Sequence, residues 1–185
     1  MLAAKKTLPL FVSLLLFFSN TNQVCSQSVE KQTVLAVLTL NVARFTRWPE
    51  HAFKNEKNTL NLCVFGDNVV QQSFENINNK VINNKNIHVI NLSRLRNVNQ
   101  CQLLYLSELN RNRLTPLLME LKGQPILTIG ENMEFLQAGG MVGLEKVNEK
   151  MQLNINLSVI KQTELEISSR LLKLANIVNF PSPAH

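Results

Sequence analysis

The feature that most constrains this chain is an alternation that begins at Thr59. Short apolar runs recur at "TLNLCVFGDN" (59–68), "NIHVINL" (86–92), "CQLLYL" (101–106) and "QPILTIG" (124–130). Between them lie segments suited to helices. "NVVQQSFENINN" follows Asp67 or Asn68 as N-cap, and "NRLTPLLMELK" ends at Gly123, with Pro116 early enough to be tolerated. Strand and helix in alternation predict a parallel sheet covered on both faces.

The flanks differ. "VEKQTVLAVLTLNVARFTRWP" (29–49) reads as an opening helix, with Val34, Val37, Leu38, Val42 and Phe45 at helical spacing and Pro49 as its end. After Gly130, "GGMVGLEKV" and "KMQLNINL" read as a hairpin joined by "NEK". In its second strand Met151, Leu153, Ile155 and Leu157 alternate with Gln152, Asn154 and Asn156, which predicts one buried and one polar face. "ELEISSRLLKLANIV" (164–178) reads as a closing helix with Ile167, Leu171, Leu174, Ala175 and Val178 on one side, before a frayed tail. The expected fold is a single α/β domain: a largely parallel sheet, flanking helices, and a C-terminal antiparallel hairpin plus helix.

The N-terminus indicates export. Lys5 and Lys6 precede the uncharged run "LPLFVSLLLFF" (8–18), and Val24 and Ser26 suit a cleavage site. Residues 1–26 are expected to be a cleaved signal peptide and 27–185 the mature domain. A lipid-anchored reading would acylate Cys25, but Asn22, Gln23 and Val24 do not resemble the residues that precede such a cysteine. The apolar run is short for a membrane span, so the mature chain is not expected to span one.

Removing Lys5 and Lys6 from 19 basic residues leaves 17 against 13 acids, scattered without a long basic block, which argues against nucleic acid as a partner. Cleavage would leave Cys63 and Cys101, an even number in an oxidising compartment. They read either as a disulfide or as two buried thiols.

Three of the six glycines fall in "FLQAGGMVGLEK" (135–146), where a phosphate loop could hide. A Walker loop needs Lys and Ser or Thr after its last glycine, but Leu144 and Glu145 follow Gly143. A dinucleotide fingerprint belongs after the first strand, where the chain has only "GDN". A structural role is expected: Gly139 and Gly140 for positive φ, Gly143 for a bulge or close contact. His51, His88 and His185 form no metal spacing, and no Gly-x-Ser-x-Gly elbow occurs. No cofactor or metal and no enzymatic activity are expected. Gly66, Asp67 and Gly130 lie at the carboxyl ends of predicted strands, where doubly wound sheets bind ligands, although Asp67 also suits a helix cap. Trp48 with Pro49, and Phe135 with Met141 beside the glycines, bring large apolar groups to chain reversals. They read either as core anchors or as an interface to a partner or a second copy.

Five blocks in order resemble the YfiR family of bacterial periplasmic proteins: "LTLNVARFTRWPE", "LNLCVFGDN", "CQLLYLS", "PILTIGENMEFLQAGGMVGL" and "LNINLSVIKQTELEISSRLLKLA". The resemblance implies a non-enzymatic inhibitor that binds the periplasmic domain of an inner-membrane diguanylate cyclase, or a similar sensor, and lowers cyclic di-GMP and biofilm formation. It also implies a Cys63–Cys101 disulfide and a tendency to form homodimers. A second cysteine pair that some members carry near the late hairpin is missing from "GLEKVNEKMQLNINL". The alternative is a periplasmic small-ligand sensor without a cyclase partner.

Overall fold

A computed structural model describes residues 23–53, 58–107 and 109–181. The expected signal segment up to residue 22, and His185, lie outside the described residues. The first helix, α1 (Gln23–Arg44), precedes a two-residue strand, β1 (Thr46–Arg47). The alternating part follows as β2 (Thr59–Phe65), α2 (Asn68–Glu75), β3 (Val81–Ile82), β4 (Lys85–Asn91), β5 (Leu103–Leu106), α3 (Arg111–Glu120) and β6 (Leu127–Glu131). The C-terminal part comprises α4 (Asn132–Gln137), β7 (Val142–Val147), β8 (Lys150–Asn156), α5 (Leu157–Ile160), β9 (Glu166–Ile167), α6 (Ser169–Leu172) and β10 (Asn176–Val178).

Eight strands form one sheet in the order β10-β8-β7-β6-β5-β2-β4-β3. The contiguous run from β7 to β4 is parallel, and the β7–β8 hairpin and the β3–β4 pair are antiparallel. The domain is therefore α/β, as the alternation predicts. Strand pleating sends Leu60, Leu62, Val64, Leu103, Tyr105, Leu127 and Ile129 to one face, under α1 and α2. Cys63, Leu104 and Leu106 point to the other, under α3 and α4. On the first face the rings of Phe74 and Tyr105 meet at 4.3 Å between centroids, locking α2 to the middle of the sheet.

Cys63 and Cys101 are disulfide-bonded, with Cα atoms 5.7 Å apart. Cys63 is in β2, and Cys101 stands just before β5 rather than inside it. The connection from β4 to β5 has one turn of 3-10 helix, Val98–Gln100, in place of a full covering helix. The disulfide, with Leu92 and Val98, fills the sheet face that such a helix would have covered.

Three expectations are corrected. The opening helix stops at Arg44, not at Pro49, because Thr46–Arg47 extends and pairs with Glu166–Ile167 near the far end of the chain. Asn83 Nδ2 donates to the Arg44 carbonyl at 3.0 Å and satisfies one of the orphan acceptors at that helix end. The closing helix shrinks to one turn, α6. Asn176–Val178 instead adds a parallel strand to β8, whose open edge offers hydrogen bonds that a helix would leave unused. That extra strand also changes the polar face of β8. Asn154 and Asn156 are buried, and the Asn176 side chain donates to Asn154 Oδ1 at 3.2 Å.

Helix α1 is apolar on two sides. Leu35, Ala36, Leu40, Val42 and Ala43 face the core. Val34 and Val37, which share the helical spacing of Val42, are exposed. With Leu38, Asn41 and Phe45 they follow i, i+3, i+4, i+7, i+11 spacing along a second, outward stripe.

Candidate functional site

The glycine-rich segment is a slot for an aromatic ring. Asn132, at φ 68°, accepts from the Phe135 N–H through Oδ1 at 3.1 Å and so starts α4, a short helix that sequence reading treats as a turn. The helix drives Phe135 inward, where it is 3% exposed. A Cβ on Gly130 would stand 2.5 Å from that ring, and one on Gly140 would stand closer still. Gly139 takes φ 102°, which reverses the chain into β7; Gly140, expected at positive φ as well, does not take one, and is glycine because a Cβ there would meet the Phe135 ring. The glycines therefore let two backbone segments close on Phe135, and no phosphate cradle is built here.

The carboxyl edge of the sheet is filled in the same way. A Cβ on Gly66 would lie 2.7 Å from Val70, and Asp67 Oδ1 accepts from the Val70 N–H at 2.9 Å as the cap of α2. Glu131 accepts from Tyr105 Oη (3.1 Å) and Ser107 Oγ (2.9 Å) and pairs with Lys31 Nζ at 2.6 Å, which ties α1 down onto this edge. The cavity lined by Leu109, Arg111, Glu131 and Phe135 measures about 40 Å³. That is room for a few waters, against roughly 300 Å³ or more for a small-molecule pocket. Gly66, Asp67 and Gly130 are thus occupied by packing and capping, not by a ligand-sized space.

Trp48 and Phe135 do not share one surface. Trp48 Nε1 donates to the Gln102 carbonyl at 2.9 Å, just before β5 begins. Phe135 sits against Gly130, which pairs with Leu106 at the other end of β5. The strand between them spans about 13 Å. Met141 is 3% exposed, so Phe135 and Met141 both belong to the core of this chain. Trp48 and Pro49 are half-buried. Gln102 braces the Trp48 region, with Nε2 donating to the Ala52 carbonyl (2.8 Å) and Oε1 accepting from the Asn61 N–H (2.9 Å).

Around Trp48, at the amino edge of the sheet, a groove of about 470 Å³ opens. Phe45, Trp48 and Phe53 supply aromatic walls, and Arg44, Arg47, Lys85 and Arg170 supply four cations against one acid, Glu166. Arg47 Nη1 pairs with Glu166 at 2.8 Å, and Lys85 Nζ stands 3.7 Å over the Phe53 ring. Arg44 and Arg170 make no ion pair among the described residues. Phe45 also lines a second depression of about 570 Å³, between α1 and the β7–β8 hairpin, with Leu38, Met151, Leu153 and Leu171. Sequence reading points to Trp48 but misses this groove, because its walls come from five separated stretches of chain. The spread of Arg44, Arg47 and Arg170 along the chain hides a cluster that exists only in the fold.

No group of three or more potential metal ligands occurs among the described residues. None of their helices is long and apolar enough to cross a membrane. A profile of the family described as YfiR/HmsC-like matches residues 32–176. No curated protein matches the chain.

Proposed function

The chain belongs to the YfiR/HmsC-like family, and from that premise we propose that it is a periplasmic regulatory protein without catalytic activity. It binds the periplasmic domain of an inner-membrane diguanylate cyclase or similar sensor, restrains it, and so lowers cyclic di-GMP and biofilm formation. The observation that carries the reading is the extent of the family match, which runs from α1 to the first residue of β10. The basic n-region and apolar run before Ser26 support export with cleavage there. Trp48, half-buried in the groove wall, and the half-buried Pro49 that follows it are the residues of the expected contact set that a partner could still reach.

The test is capture of the mature protein's partner from its own membranes, followed by mass spectrometry. Recovery of a membrane protein with a diguanylate cyclase domain supports the reading. Repeated recovery of no membrane signalling protein, with the bait folded and in excess, contradicts it.

The groove volume favours a second reading, a small-ligand sensor, since about 470 Å³ lies within the range of small-molecule sites. Its site would be the amino edge of the sheet, not the packed carboxyl edge. Calorimetric titration with small anionic metabolites separates the two readings.

A further inference from the structure

The basic groove and the apolar depression adjoin at Phe45, which lines both. The outward stripe of α1 leads into it: Val34 and Val37 are exposed, and Leu38 and Phe45 form part of its wall. Leu174, 78% exposed, stands on the opposite rim. Exposed Val34, Val37 and Leu174 beside the half-buried Leu38 and Phe45 make an apolar surface that gains by being covered. At one end of the row Arg44 and Arg170 stand without an ion-pair partner among the described residues.

We infer that this surface docks an acidic, amphipathic segment of the partner protein. Its apolar side chains lie in the depression between Leu38, Met151 and Leu153, and its carboxylates meet Arg44 and Arg170. The inference rests on the regulatory reading above and names the chemistry of the partner that the reading requires.

Three alternatives fit less well. A second copy of the chain, meeting this surface by a two-fold axis, would bring the same patch against itself, with four cations and one acid on each side. Like charges brought together in this way disfavour association. A single small anion would use the groove and leave the adjoining apolar depression uncovered. An anionic lipid surface would satisfy the cations, but it prefers a convex apolar edge to a trough walled on both sides. A segment with spaced apolar anchors is the recognition mode that fills a trough.

Trp48 is the only tryptophan and lines the groove, so its emission reports occupancy without a label. The experiment titrates the mature protein with a short synthetic peptide that places Leu and Phe at helical spacing and Glu at its ends. The control peptide carries Gln for each Glu. The expected result is a saturable change in Trp48 emission with the Glu peptide, lost at high salt. Affinity should fall about tenfold or more in Arg44→Glu/Arg170→Glu, where two rim charges are reversed. Leu174→Glu, on a well-exposed side chain, should weaken binding while leaving the melting curve unchanged. Equal binding of the two peptides, or binding insensitive to both variants, overturns the inference.

Sedimentation with phosphatidylglycerol vesicles through Arg44 and Arg170, with no peptide binding, overturns it in favour of a lipid surface. Loss of a dimer in Leu174→Glu, again without peptide binding, overturns it in favour of a second copy. In cells, wild-type protein that lowers cyclic di-GMP while Arg44→Glu/Arg170→Glu does so equally refutes the docking surface and leaves the regulatory function standing. Wild-type protein with no effect on cyclic di-GMP refutes the function, and the peptide titration still decides the surface.

Discussion

The ring of Phe135 occupies the space that a side chain at residue 130 would need: a Cβ on Gly130 would lie 2.5 Å from it. Phe135→Ala should therefore empty a core slot and cost about 3–5 kcal/mol. Gly130→Ala should overpack the same slot and cost about 1–3 kcal/mol. Denaturant unfolding of each variant checks both. A Phe135→Ala protein as stable as the wild type would contradict the packing described here.

The disulfide gives a second expectation. Denatured, unreduced mature protein should show no free thiol, because Cys63 and Cys101 are paired and Cys25 lies before the expected cleavage site. Reduction should lower stability by about 4 kcal/mol, the chain-entropy value for a loop closed over 38 residues. The chemical denaturation midpoint with and without reductant measures it.

The β7–β8 hairpin turns through Asn148 and Glu149, at φ 47° and 61°. Two-residue turns of this kind favour Asn-Gly. A non-glycine residue in the left-handed region costs about 1–2 kcal/mol, and glycine returns part of that as unfolded-state entropy. Glu149→Gly should give up the Lys146 ion pair and still raise stability by roughly 0.5–1 kcal/mol. An unchanged or lower denaturation midpoint would show that the turn carries no such strain.

Local signals made much of the fold legible. The apolar runs that begin at Thr59, Asn86 and Cys101 contain the strands β2, β4 and β5, and Asp67 caps α2 as its position suggests. What escaped depends on distant partners. Thr46–Arg47 is extended because Glu166–Ile167 lies beside it. The helical pattern of 164–178 yields to the open edge of β8. The periodicity of α1 is real, yet Val34 and Val37 lie on its outer side, because spacing reveals an apolar stripe but not which side meets the sheet. The glycine cluster reads correctly as structural, while its reason, a slot for Phe135, needs the approach of Gly130 from another strand. The groove was legible only through Trp48, since its cations converge from both ends of the chain.

The proposed export predicts a defined N-terminus. Intact-mass measurement of the periplasmic protein should give a chain that begins near Gln27 and carries no lipid. A diacylglycerol adduct on Cys25 would make the protein a lipoprotein instead.

The most direct test of the regulatory reading is the cyclic di-GMP content of cells, measured by mass spectrometry, in the parent bacterium, in a strain lacking this protein, and in that strain carrying it again. Loss of the protein should raise cyclic di-GMP and its return should restore the parental level, with the effect vanishing when the signal segment is removed and the protein is kept in the cytoplasm. Cyclic di-GMP that stays at the parental level in all strains would contradict the reading.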